Sequence, residues 1–250
     1  MKIFIVYKSH DPGHLEQRLR EKTDLTLIAY GDISKYPLDG YLYFSQGVLK
    51  LQLISVARMG PLFVSFNQLE RRAKDSLFQQ GLIKAVGIGK GKRPSIVDGT
   101  AGLGSDSFLM ASTGSTVSLF ERNSIIYELL SDGLRRYEPK GANALGVLGR
   151  MHLEKRDFLK CDDLKASHEV VYLDPMFPIT KKNSLSKKPM HYLQTILREE
   201  TDEFEMISLA RQIATKRIVV KRGIQSPPLA GQDADITYRG SSSRFDVYLL

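Results

Sequence analysis

The segment Ser95-Ile96-Val97-Asp98-Gly99-Thr100-Ala101-Gly102-Leu103-Gly104-Ser105-Asp106 constrains this chain more than any other. A short β-branched run meets a glycine-rich turn, and a helical pattern follows over about 106–112. Glycines let a backbone turn sharply and let a ligand come close to it. In an open α/β sheet, ligands bind in the crevice beyond the carboxyl ends of the strands, and Asp98 stands at such an end. An ordinary strand-to-helix turn also carries glycine, but three glycines beside an acid favour a ligand that is approached by backbone.

The pattern around this segment predicts a sheet. Further strands are expected at 116–121, 151–155, 169–173 and 217–221, with helices at 124–136, 192–198 and 202–215. Strands alternating with helices predict a mostly parallel sheet covered on both faces. The runs 235–238 and 245–250 read as a closing hairpin that adds an antiparallel strand at one edge.

The first part of the chain reads differently. Short strands are expected at 3–6, 25–29, 42–44, 49–54 and 62–66, separated by turn residues such as Gly47, Gly60 and Pro61. Asn67-Gln68-Leu69-Glu70 has capping-box spacing, and apolar residues from Leu69 to Val86 follow at helical period into Gly87, Gly89 and Gly91. The expected organisation is a small strand-rich domain over 1–66 and a larger α/β domain over 67–250.

Two acids and one proline-bearing segment carry the chemistry. Glu121 ends the second strand of the alternating part, 23 residues after Asp98. An acid there can accept hydrogen bonds from both hydroxyls of a nucleoside ribose, or cap the helix that follows. NAD and S-adenosylmethionine (SAM) share this geometry. The segment Val171-Tyr172-Leu173-Asp174-Pro175-Met176-Phe177-Pro178 separates them. It is similar to the Asp/Asn-Pro-Pro-Phe/Tyr motif of methyltransferases that act on exocyclic amino groups of bases. Such an amine is a poor nucleophile because its lone pair is delocalised into the ring. A carboxylate and a backbone carbonyl accepting its two N–H groups localise that lone pair and stabilise the developing charge. An aromatic residue stacks on the base, and proline fixes the turn in advance.

Composition narrows the partners. The net charge of +8 over 250 residues favours a polyanion such as nucleic acid. Lys181, Lys182, Lys187 and Lys188 follow the Asp-Pro-Met-Phe segment, Lys216, Arg217, Lys221 and Arg222 flank the fifth strand, and Arg71 and Arg72 precede the glycine turn. Any one of these clusters also suits a solvated surface, whereas together they are candidate phosphate contacts. A single cysteine, Cys161, makes neither an internal disulfide nor a Cys-rich zinc site, and the five histidines lack metal-ligand spacing, so no metal is expected. No apolar run is long enough to cross a membrane, and a cytoplasmic protein is expected.

The glycine turn with Asp98, Phe120-Glu121-Arg122-Asn123, the Asp-Pro-Met-Phe segment and the run from Ala214 to Arg222 together resemble the RsmJ family. Its members are bacterial 16S (small-subunit) ribosomal RNA guanine-N2 methyltransferases that use SAM and release S-adenosylhomocysteine. The resemblance covers about 65–250, including Arg244-Phe-Asp-Val-Tyr248, and is loose over the first sixty residues. It implies a Rossmann-like class I methyltransferase fold, a mostly parallel seven-stranded sheet with a C-terminal antiparallel hairpin. It implies cofactor contacts at Ser105, Asp106, Glu121, Arg122, Asp157 and Phe158, with Asp98, Gly102 and Gly104 forming the loop beneath. It also implies a catalytic segment of Asp174, Pro175 and Phe177, with Asp174 facing the cofactor as well. Ser105 stands where the family often has arginine, and Asp157-Phe158 where it often has small polar residues; Asp157 is expected to face the adenine amine, with Phe158 against the ring. The partner implied is 16S rRNA or the small ribosomal subunit. Two other readings stay open on the residues alone: an NAD-binding oxidoreductase, and a silent RNA-binding or assembly protein on a methyltransferase fold.

Overall fold

The structure, a computed structural model, describes residues 1–8, 11, 13–67, 69–70, 79–138, 146–175, 188–197 and 203–250. Its strands are β1 (Ile3–Tyr7), β2 (Leu27–Ala29), β3 (Gly40–Ser45), β4 (Val48–Leu53), β5 (Ile96–Asp98), β6 (Val117–Phe120), β7 (Met151–Glu154), β8 (His168–Leu173), β9 (Ala214–Gly223), β10 (Ile236–Arg239) and β11 (Ser243–Leu249). Its α-helices are α1 (His14–Thr23), α2 (Gly81–Ala85), α3 (Ser105–Ser112), α4 (Ser124–Arg136), α5 (Lys188–Ile196) and α6 (Glu203–Ile213). No described helix is long and apolar enough to cross a membrane. The chain forms two compact units. One comprises Met1–Ser65, Asn123–Arg136 and Pro178–Glu199; the other comprises Phe66–Arg122, Tyr137–Phe177 and Glu200–Leu250.

The first unit holds a four-stranded sheet in the order β2-β1-β3-β4. β1 runs parallel to β2 and β3, while β3 and β4 form an antiparallel hairpin. Gln46 and Gly47 turn that hairpin with φ of 53° and 71°, the paired left-handed geometry that suits a two-residue loop. Alternation puts Ile3, Ile5, Leu42, Leu49, Leu51 and Leu53 on one buried face. On α4, Asp132 accepts the Leu49 N–H at 3.1 Å and pairs with Arg135 and Arg136. Four features over residues 1–86 differ from expectation. α1 is a helix where none was foreseen. The strand expected at 62–66 reduces to one bridge, Leu62 to Leu51. The capping box is not formed: the Glu70 N–H donates to the carbonyl of Phe66, and Asn67 Oδ1 is buried with no partner among the described residues. Of the helix expected over 69–86, the part at 71–78 lies outside the described residues, and Gly81–Ala85 is a separate short helix.

The second unit carries a seven-stranded sheet in the order β10-β11-β9-β8-β5-β6-β7. The strands from β9 to β7 are parallel; β11 is antiparallel to β9, and β10 to β11. This is the expected mostly parallel α/β sheet closed by a C-terminal hairpin. Val97, Val171, Leu173, Ile218 and Val220 share one face and pack with Ile207, Ala210 and Ile213 of α6. The opposite set, with Asp98, Tyr172 and Lys221, carries the polar groups described next.

Candidate active site

The sheet order reverses at β5. From there the chain continues to β6 and β7 on one side, while β8 and β9 lie on the other. Neighbouring strand ends part at such a point and leave a crevice. Asp98 closes β5 and Asp174 follows β8. The Asp174 N–H donates to Thr100 Oγ1 at 2.6 Å, so the mouth of β8 is tied to the glycine turn.

That turn is shaped by two kinds of glycine. Gly102 and Gly104 have φ of 54° and 74°, a region that side chains disfavour. A Cβ on Gly102 would meet only the Thr100 carbonyl at 3.8 Å, so there is open space above it. Gly99 is a packing glycine: a Cβ there would come within 2.7 Å of the Phe158 ring and 2.9 Å of Leu173. Gly104 is the N-cap of α3, which places Ser105, exposed, and Asp106 in its first turn.

Three carboxylates and one ammonium meet at the crevice. Lys221 Nζ donates to Asp106 Oδ2 at 2.8 Å and to Asp174 Oδ2 at 2.9 Å. Tyr172 donates its hydroxyl to Asp106 Oδ2 at 2.6 Å. Asp174 Oδ1 has no hydrogen-bond partner among the described residues. Asp98 is 1% exposed and accepts from the Thr100 N–H at 3.0 Å and from the Ser107 hydroxyl. Burial raises its pKa to about 7, against the pull of those two donors and with help from Asp106 and Asp174. Burial also raises Asp174, opposed by the Lys221 ammonium. For Lys221 itself burial works toward the neutral form, but Asp174 and Asp106 outweigh it and hold the ammonium charged. Tyr172, pushed well above its usual range by burial, remains a donor.

Glu121 accepts the Gly102 N–H at 3.0 Å and is buried, which joins the end of β6 to the same turn. The helix after it is capped by Asn123, whose Oδ1 takes the N–H groups of Ile125 and Ile126 at 3.0 and 3.2 Å. Arg122 lies 3.8 Å from Asp157, which itself accepts the Leu159 N–H.

Several expected site residues stand elsewhere. The Phe158 ring is 3% exposed, inside the core with Val97, Phe120 and Leu173, so stacking on an adenine is corrected to a packing role. Arg222, expected at phosphate, is 2% exposed and donates to Glu203 and to the Pro227 carbonyl. Lys221, expected at phosphate, bridges the two site carboxylates instead. Lys216 pairs with Glu169, and Arg217 donates to the Ala85 carbonyl. Pro175 is described and half-buried, and Lys188 opens α5. Phe177, Lys181, Lys182, Lys187, Arg71 and Arg72 lie outside the described residues. Sequence reasoning missed Lys221 and Tyr172 as members of the cluster. The signal was present: period-two counting along β8 and β9 puts both on the face that bears Asp98.

Known proteins are similar to this one over most of the chain. The family described as "Putative SAM-dependent methyltransferase" matches residues 33–250. The protein named ribosomal RNA small subunit methyltransferase J from Thioalkalivibrio sulfidiphilus is 37% identical over 254 aligned residues, covering 99% of this chain and 98% of that one. The protein of the same name from Coxiella burnetii is 38% identical over 212 residues, 84% of this chain and 83% of its own length. The crystal structure of a SAM-dependent methyltransferase from Neisseria gonorrhoeae superposes with a TM-score of 0.73 at 29% identity, covering 99% of this chain and 95% of its own. With the family match over 33–250 and 37–38% identity over most of both chains, the chain belongs to the ribosomal RNA small subunit methyltransferase J family of SAM-dependent methyltransferases.

Proposed function

We propose that this protein transfers a methyl group from SAM to the exocyclic N2 amine of a guanosine in small-subunit ribosomal RNA. The observation that carries the reading is Asp174: one carboxylate oxygen rests on Lys221, the other is open, and its backbone is tied to the glycine turn.

The residues fit the cofactor. Asp106 and Asp174 against the single ammonium of Lys221 leave the crevice net negative, which suits a ligand bearing sulfonium and ammonium charges. The open space over Gly102 admits close approach, and buried Glu121 beside it suits a ribose diol. When bound, SAM supplies an electrophilic methyl group on sulfur. Ser105, Arg122 and Asp157 complete the proposed cofactor contacts. In the proposed reaction the open oxygen of Asp174 and the Pro175 carbonyl accept the two N–H groups of the guanine amine, and Phe177 stacks on the base. The alkylated amine is acidic and gives its proton to Asp174 or to water.

Lys181, Lys182, Lys187 and Lys188, with Arg71 and Arg72, are proposed phosphate contacts. The division into a 1–66 domain and a 67–250 methyltransferase domain is likewise a proposal, as is a cytoplasmic location with the ribosome as partner. Mass spectrometry of 16S rRNA from a deletion strain should show one N2-methylguanosine lost. It should return with the wild-type chain and not with Asp174→Ala, which should still bind S-adenosylhomocysteine. An unchanged methylation pattern in the deletion strain would reject the reading.

A further inference from the structure

We propose that the outer face of the first unit's sheet is a stacking platform for single-stranded RNA; this rests on the reading of the protein as an RNA methyltransferase. Strand alternation puts Phe4, Tyr41, Tyr43 and Lys50 on the face opposite buried Ile5, Leu42 and Leu51. Register sets Phe4 beside Tyr41 and Tyr43 beside Lys50.

The rings form one patch. The Tyr41 and Tyr43 centroids lie 5.5 Å apart, as do those of Phe4 and Tyr36. Ammonium groups lie among them. Lys8 Nζ stands 5.3 Å from the Tyr30 ring and 5.7 Å from that of Tyr43, and Lys50 Nζ stands 5.9 Å from Phe63. Tyr30 and Phe63 are 52% and 44% exposed. The strand positions of this face, 4, 6, 41, 43, 45, 48, 50 and 52, carry no acidic residue.

Part of this face is covered: Val6 is buried, and buried Gln52 donates to the Tyr192 hydroxyl of α5 at 3.2 Å, while Phe4, Tyr41, Tyr43 and Lys50 stay half-buried beside exposed Tyr30 and Phe63. Flat rings with lysines between them match the alternation of base faces and phosphates along an unpaired strand. Charge complementarity selects this occupant. A self-association surface calls for an apolar centre, whereas here hydroxyls and ammonium groups interrupt the rings.

The chain has eleven tyrosines and no tryptophan, so tyrosine emission reports stacking directly. The probe is an oligoadenylate of about ten nucleotides, within the span of one such platform, titrated against the full-length protein. Wild type should show quenching. The double variant Tyr41→Ala/Tyr43→Ala should bind roughly tenfold more weakly or worse, and Tyr41→Phe/Tyr43→Phe should restore binding. Lys50→Glu should weaken binding and flatten its salt dependence. Stabilisation by S-adenosylhomocysteine should persist in every variant and shows that each is folded. On ribosomal RNA the alanine variant should raise KM, with kcat at saturating RNA within roughly twofold of wild type. Unchanged affinity in the alanine variant overturns the platform, as does a shift from dimer to monomer with RNA binding intact, which would assign the face to a second copy. If quenching occurs but small-subunit rRNA is never methylated, the functional reading fails and the platform stands.

Discussion

Lys221 keeps two carboxylates close together. Asp106 and Asp174 both accept from its ammonium, and without it their charges would repel and one would take up a proton. In the proposed reaction Asp174 must be an acceptor, so Lys221 acts as a positioning residue. Lys221→Met should lower kcat about 10²-fold and move the acidic limb of the pH–rate profile upward, while Lys221→Arg should recover part of both. A profile that keeps its shape while activity falls would mark a merely structural role. Asp98 makes a different prediction. Its folded pKa of about 7 lies above the ordinary 3.8, so between those values the folded protein holds a proton that the unfolded chain has released. The folded state binds more protons there, and stability falls as pH rises through the window and levels off above it. The slope from this group approaches about 1.4 kcal/mol per pH unit. Urea melts of wild type and Asp98→Asn at pH 5 and pH 7 should therefore diverge, with the wild type losing more on going to pH 7.

At the scale of elements, α4 shows how little room the first unit leaves. A Cβ on Gly133 would stand 2.4 Å from Val64 Cγ1 and 2.6 Å from its Cβ, and a β-branched side chain has few ways to yield. Gly133→Ala should cost about 1–3 kcal/mol, read as a lowered denaturation midpoint, although alanine is the better helix former. The strands of the second sheet were legible because they are short β-branched runs ended by Asp98, Glu121 and Asp174. α1 was not: in His-Leu-Glu-Gln-Arg-Leu-Arg-Glu-Lys-Thr only two residues are apolar, and Leu19 alone of them is fully buried. The 62–66 run alternates as a strand does, but only Leu62 reaches a neighbour's edge. At the site, Asp98, Glu121 and Asp174 were readable from their places at strand ends. The burial of Phe158 and Arg222 was not, because a loop residue and a strand-end arginine show their surroundings only once distant segments are in register.

For the whole molecule, the excess of positive charge and the negative crevice act, in the proposed function, on different ligands. The proposed phosphate contacts, spread over several lysines, should make RNA binding weaken steeply with salt, whereas cofactor binding should respond far less. Thermal melts provide the companion test: S-adenosylhomocysteine at about a hundred times its Kd should stabilise the fold by about 2.7 kcal/mol, with no response to NAD. Equal responses would reopen the oxidoreductase reading. The Thr100 hydroxyl that grips the backbone of Asp174 makes the glycine turn and the mouth of β8 a single piece. Donor and nucleobase, each seated on one half of that piece, would inherit one another's coordinates. Loosening the latch would then surface as sluggish turnover with both ligands still held.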